Sequence, residues 1–181
     1  MILAADVQYG ESGAQAAGVL FADWPDAAPQ RTLLVHLPEV AEYVPGEFYR
    51  RELPCLLRLV EVAAVPLSAV VVDGYVTLGE DARPGLGWKL WEALGRAVPV
   101  IGVAKTAFAG TPAETEVRRG DSRSPLYVTA AGLPLADAKA QVAVMHGPHR
   151  LPTLLKQADR LARGLEAASA FGVTTAGQAG K

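Results

Sequence analysis

Ser68-Ala69-Val70-Val71-Val72-Asp73-Gly74-Tyr75 constrains the fold more than any other stretch of the chain. An unbroken apolar run ending in valines suits a strand buried on both faces, as at the centre of an α/β sheet. The run stops at Asp73-Gly74. Glycine permits a sharp turn there, and the aspartate is left at the carboxyl edge of the sheet, where open α/β sheets bind ligands. The same pair also makes an ordinary turn, so Asp73 gains functional weight only if further acids reach that edge.

The chain has 181 residues, enough for one domain with a proper core. Half of the residues are hydrophobic and a fifth are charged, a globular composition and not a disordered one. No apolar run approaches the ~18 residues of a membrane span, and Met1 to Asp6 lacks the basic start of a secretory signal. A single cysteine, Cys55, excludes an intrachain disulfide framework and suits a reducing cytoplasm, with a small buried core residue as its expected role. The net charge of −2 carries no general nucleic-acid signature, although bound divalent metal would offset acids in a site.

Taken in order, Ile2–Tyr9, Ala14–Ala22 and Arg31–Leu37 are predicted strands joined by tight connections, hence an antiparallel meander. Asp6 interrupts the first of them, and an acid inside a buried strand is costly unless paired or metal-bound; an edge position in water is the alternative. His36, within the third strand, is expected to be structural or at an edge. Leu56, Leu59, Val60 and Ala63 follow helical spacing and place Glu52 near a helix start, where a solvated acid is also favoured by the helix dipole. After Asp73 come a glycine-rich charged loop, a helix over 87–96 and a buried strand over 98–104 that ends at Lys105. Strand, helix, strand predicts a right-handed unit with its two strands parallel. The stretch 111–124 is expected to be an exposed excursion; 125–130 reads as a short strand, and 134–145 and 153–163 as helices. Lys156, Arg160 and Arg163 form a basic stripe on the last helix, able to meet phosphates or simply solvated, with Asp159 and Gln157 diluting it.

The predicted fold is therefore α/β: a mixed five-stranded sheet, three antiparallel strands plus a parallel extension, flanked by helices. Residues 1–165 are expected to form one domain and 166–181 a flexible tail. If the first and fourth strands are parallel neighbours, Asp6 and Asp73 lie side by side, and Glu52 closes a triangle. Converging carboxylates repel one another unless a cation neutralises them, and oxygen ligands suit Mg²⁺ or Mn²⁺. Such a metal assists phosphodiester hydrolysis, with Lys105 adding positive charge. This is the arrangement of RNase H-like nucleases.

Four blocks then make a specific resemblance: Ala5-Asp6-Val7; Tyr43-Val44-Pro45-Gly46 followed by Arg51-Glu52-Leu53-Pro54; Val71-Val72-Asp73-Gly74; and Ile101-Gly102-Val103-Ala104-Lys105. Weaker agreement continues in Ser124 to Val128, Arg150-Leu151-Pro152 and Gln157-Ala158-Asp159. The chain resembles the endonuclease V family, which nicks strands on the 3′ side of deaminated purines such as inosine. The resemblance implies Asp6, Glu52 and Asp73 as metal ligands for Mg²⁺, or Mn²⁺, and Lys105 as the active-site lysine. It implies Tyr43, Val44 and Pro45, with Gly46, as a strand-separating wedge, and Gly74 and Gly102 as substrate-side glycines. It further implies a monomeric, cytoplasmic repair enzyme whose partner is a DNA or RNA strand.

The chain also departs from the family. Tyr75-Val76 follows Asp73-Gly74 where His-Gly is usual, and Glu80-Asp81-Ala82-Arg83-Pro84 replaces a His-Pro-Arg loop. A family histidine aligns near Gly132, leaving Asp137 as the nearby acid considered for its role. The family's helical segment before the first strand is missing, and 111–124 is short. The alternative function is accordingly a catalytically weakened nucleic-acid-binding homologue with altered base specificity. A third, from another class, is a small-molecule-binding α/β domain whose acids are solvated turn residues.

Overall fold

The computed structural model describes residues 1–10, 13–38 and 49–167. The wedge residues Tyr43 to Gly46 and most of the predicted tail lie outside the described residues. The meander forms as predicted: β1 (Ile2–Gly10), β2 (Gly13–Phe21) and β3 (Arg31–Leu37) pair antiparallel in sequence order. Helix α1 (Tyr49–Ala63) follows and leads to β4 (Ala69–Asp73), which pairs parallel with β1. A small ribbon, β5 (Thr77–Leu78) with β6 (Arg83–Pro84), precedes α2 (Leu86–Ala93) and β7 (Val100–Ala104), parallel to β4. Then come β8 (Glu116–Val117), β9 (Leu126–Ala131), α3 (Leu135–Val144) and α4 (Thr153–Ala162).

The main sheet has seven strands in the order β3-β2-β1-β4-β7-β9-β8, not five. The difference lies at one edge. The strand read over 125–130 joins β7 antiparallel, and two residues of the supposed excursion pair with it as β8. That excursion is not wholly exposed either. Arg119 is buried, with 7% of its surface accessible, and donates to the carbonyls of Ala143, Met145, Gly147, His149 and Arg150. A run of arginines looks solvated in sequence, yet five acceptors from the end of α3 and the segment after it satisfy the guanidinium inside the protein.

Helices cover both faces of the sheet. Alternating residues of the central strands, Leu3, Ala5, Val70, Val72 and Val100, pack with Cys55, Leu56, Leu59 and Leu90 of α1 and α2. The intervening residues, Ile2, Ala4, Ala69, Val71, Ile101 and Val103, pack with Ala138, Val142, Leu154, Ala158 and Leu161 of α3 and α4. Double coverage is why β4, up to Val72, and β7 are apolar at every position and not at every second one. Cys55 is fully buried in this core, and His36 is exposed on edge strand β3. Gln15 on β2 donates from Nε2 to the carbonyls of Leu161 and Ala162, 3.1 Å each, satisfying the end of α4 and fixing that helix on the sheet.

Gly102 in β7 lies beneath the turn that leaves β4. A Cβ there would stand 2.6 Å from the Gly74 carbonyl oxygen and 2.8 Å from the Val76 nitrogen. The turn is itself held by the Val76 N–H, which donates to Thr129 Oγ1 at 2.8 Å. Because the obstructing atoms are backbone, Gly102→Ala is expected to destabilise the protein by about 1–3 kcal/mol, the cost of overpacking. Urea unfolding checks this; an unchanged midpoint would show that the turn yields freely.

Candidate active site at the carboxyl edge of the sheet

The last register pairs before the edge are Ala5 with Val72 across β1 and β4, and Asp73 with Val103 across β4 and β7. Asp6 and Asp73 are therefore the next residues outward on neighbouring parallel strands. Residue parity puts both carboxylates on the α4 side, in line with Ala4 and Val71 beneath them. Lys105 follows β7 on the same side, two residues beyond Val103. Its ammonium lies 2.7 Å from Asp73 Oδ2 and 3.3 Å from Asp159 Oδ1.

Asp159, on α4, is the residue that was not singled out from the sequence as a site acid. One carboxylate oxygen from each of Asp6, Asp73 and Asp159 lies within 4.8 Å of the others, within reach of a single cation. Its signal was present. Leu155, Ala158, Asp159 and Ala162 share the 3- and 4-residue spacing of the helix face that packs on the sheet, where a carboxylate is out of place. Asp137, by contrast, is exposed in the first turn of α3 and belongs to neither the cluster nor the cavities beside it. At Gly132, φ is +82° and an added Cβ would lie 2.7 Å from Trp91 Nε1, so this backbone has no room for a side chain there.

Glu52 approaches from the opposite face. It lies in the first turn of α1, is 9% exposed, and lines a cavity of about 280 Å³ with Tyr49, Asp73, Gly74, Tyr75 and Leu86. Burial, and then the negative charges of Asp6 and Asp73, push its carboxyl up to about 8. Asp6 is raised to about 6, first by burial and then by Asp73, against the Val7 N–H that donates to Asp6 Oδ1 at 2.9 Å. For Lys105, burial opposes the charged form, but the hydrogen bond and attraction to Asp73 and then Asp159 prevail and raise its pKa. The edge is thus a set of like charges held closer than they would settle in water, with one ammonium among them.

Gly74, at φ +136°, turns the chain away from Asp73. The next residue, Tyr75, fixes the wall of the cavity: its hydroxyl donates to the Thr106 carbonyl at 2.8 Å and accepts from the Phe108 N–H at 3.2 Å. Behind Lys105, the Arg150 guanidinium donates to the carbonyls of Lys105 and Pro125. This ties the segment before α4 to the end of β7 and sets Asp159 against Lys105.

The sequence and the fold are both similar to those of known proteins. The family model described as Endonuclease V matches residues 1–142. The endonuclease V of Azotobacter vinelandii is 33% identical over 188 residues, covering 90% of this chain and 81% of the relative. The crystal structure of endonuclease V from Streptomyces avermitilis superposes with a TM-score of 0.67 at 25% identity, covering 91% of this chain and 80% of that one. Ciona intestinalis endonuclease V, solved with a 24mer DNA containing an inosine followed by a ribo-adenosine, gives a TM-score of 0.71 at 16% identity, over 91% and 84% of the two chains. With a family match spanning most of its length and the acidic edge in place, this chain belongs to the endonuclease V family.

Proposed function

We propose that the chain is a divalent-metal-dependent endonuclease that nicks DNA or RNA on the 3′ side of a deaminated purine such as inosine. The observation that carries this is the convergence of Asp6, Asp73 and Asp159 beside Lys105, next to a cavity that opens on the other side of Asp73. An all-oxygen, carboxylate-rich donor set fits Mg²⁺, with Mn²⁺ as the alternative. Asp6, Asp73 and Asp159 would hold the ion, and Glu52 completes the set from the α1 side. The ion supplies water activation and charge stabilisation at the phosphodiester.

The chain's own residues do the rest. Lys105 offers a fixed positive charge on the side where negative charge builds on the phosphate. Gly74 and Tyr75 border the cavity that takes the flipped base, and Gly102 shapes it by letting the turn sit low on β7. Extrusion of the base into such a pocket is what brings the neighbouring phosphate to the acidic edge. Among the described residues no helix is long and apolar enough to cross a membrane. We take the working form to be a cytoplasmic monomer of one domain.

In Mg²⁺, Asp73→Asn is expected to reduce nicking of a deoxyinosine oligonucleotide by about a hundredfold or more, the scale for a preorganised electrostatic group, with an unchanged circular dichroism spectrum. Equal nicking by mutant and parent would remove Asp73 from the chemistry. If the parent binds the inosine strand and does not cut it in either metal, the chain is the weakened binding homologue instead.

A second expectation follows from the raised carboxyls. Asp6 and Glu52 hold protons more tightly folded than unfolded, so the folded state binds more protons between their ordinary values, 3.8 and 4.5, and their shifted ones, about 6 and about 8. Stability of the metal-free protein from these groups therefore falls as pH rises through that window. A bound cation takes the place of those protons. The rise in melting temperature on adding Mg²⁺ should accordingly be larger at pH 8 than at pH 6, and smaller at both in Asp159→Asn. The same rise at both pH values would detach these carboxyls from metal binding.

A further inference from the structure

A second concavity adjoins the acidic edge on the α4 side. It has a volume of about 630 Å³ and runs between the turn at 27–29 and α4, lined by His149 before the helix, by Thr153, Lys156, Gln157 and Arg160 on it, and by Glu166 after it. The cleft of Asp6, Asp73, Lys105 and Asp159 shares Leu151 with this groove, while it shares Asp73 with the cavity behind Tyr75. The three spaces thus adjoin in turn, cavity, acidic cleft, groove, and the groove leads over α4 toward the opposite edge, where the turn at 27–29 joins β2 to β3.

Charge changes sign along that path. Around α4 the carboxylates are already engaged, Asp159 by Lys105 and by Arg163 at 3.1 Å, and Glu166 by Arg160 at 2.5 Å. Lys156 is exposed and has no ion-pair partner among the described residues. So of the basic stripe seen in the sequence, two members are spent on local acids, and Lys156 stands over the groove with an uncommitted charge. Beside it, Gln157 and His149 add hydrogen-bonding groups. In a chain of net charge −2, this is a local site for anions next to an acidic one.

We infer that this groove receives the phosphodiester backbone of the strand on the 3′ side of the cut, with Lys156 as its phosphate contact. The inference rests on the proposed nuclease activity and adds a direction to it. With the deaminated base in the cavity and the broken bond 3′ to it at the cleft, the order of the three spaces matches the order of the strand. Nucleotides 5′ of the lesion stay on the α1 side, and those 3′ of the cut leave over α4.

The test crosses a residue with a strand end. Binding of single-stranded deoxyinosine oligonucleotides is measured by fluorescence anisotropy in EDTA, with a long or a two-nucleotide 3′ flank and, separately, a long or a two-nucleotide 5′ flank. The parent protein should bind the long 3′ flank several-fold more tightly than the short one. Lys156→Gln should lose most of that advantage and lower the salt dependence of long-flank binding by about 0.7 of a log unit per log unit of salt, one phosphate contact on a single strand. Lys139→Gln, which removes a half-buried cation from α3 that donates to the Glu114 carbonyl, should keep the advantage. An equal loss in both lysine variants, a Lys156 effect that follows the 5′ flank, or no effect would overturn the inference. Cutting by the parent with no flank-dependent role for Lys156 sinks the groove and spares the nuclease. Tight flank-dependent binding without cutting does the reverse.

Discussion

The register of two parallel strand pairs governs this molecule. Because β1 with β4, and β4 with β7, end their pairing one residue apart along the chain, Asp6, Asp73 and Lys105 emerge together on one face of one edge. A slip of one residue would turn an acid toward α1 in the first pair, or Lys105 in the second, and break the cluster, since side chains alternate across a sheet. The apolar run beneath them is what makes that register costly to change. Val70 to Val72 and Val100 to Val103 are buried on both faces, so any slip would exchange the packing of two cores at once. The hydrophobic effect thus holds like charges in positions that electrostatics alone would reject.

That edge has two sides with different duties. On the α4 side stand three carboxylates and an ammonium; on the α1 side, Glu52 and Tyr75 border a cavity large enough for a base. Asp73 belongs to both. The division follows from the layered fold, in which each central strand presents alternate residues to opposite helices. It also explains how the chain departs from its family just after Asp73-Gly74 and still keeps the acidic set. Tyr75 and Val76 act on the turn and cavity wall, through the Tyr75 hydroxyl and the Val76 N–H, while the acids are held by strand register and by α4.

Much of this was legible in the residues. The valine run, the Asp at its end, the parallel crossover and the meander are local patterns with local causes, and they appear where the sequence places them. The site acids on strands were readable for the same reason: an Asp within an apolar strand is conspicuous. Asp159 was harder, because on an amphipathic helix flanked by Lys156, Arg160 and Arg163 it passes for one charge of a solvated face. Only the 3- and 4-residue spacing with Leu155 and Ala162 separates it from that face. Arg119 was misread for a related reason. Its partners are backbone carbonyls of a segment more than twenty residues away, which leave no mark in composition or spacing. The same distance effect hid β8, two residues long and paired only through β9.

The position of Lys105 gives the charges at this edge a common logic. Lys105 touches both Asp73 and Asp159, and Arg163 reaches Asp159 at 3.1 Å, so these two cations leave the carboxyls of the edge short of neutral. Glu52 and Asp6 respond by holding protons to higher pH than usual. Without the ion, Glu52 holds its proton to about pH 8, because burial, more than its neighbours, raises its affinity for it. On the proposed assignment, a divalent ion with Lys105 and Arg163 would match the charge of Asp6, Asp73, Asp159 and Glu52 together, so the ion takes the place of both raised protons. Placing the fourth acid on the far face of the sheet, away from the three clustered aspartates, therefore lets the fold carry four carboxyls at one edge, balanced by protons without the ion and by the ion when it binds.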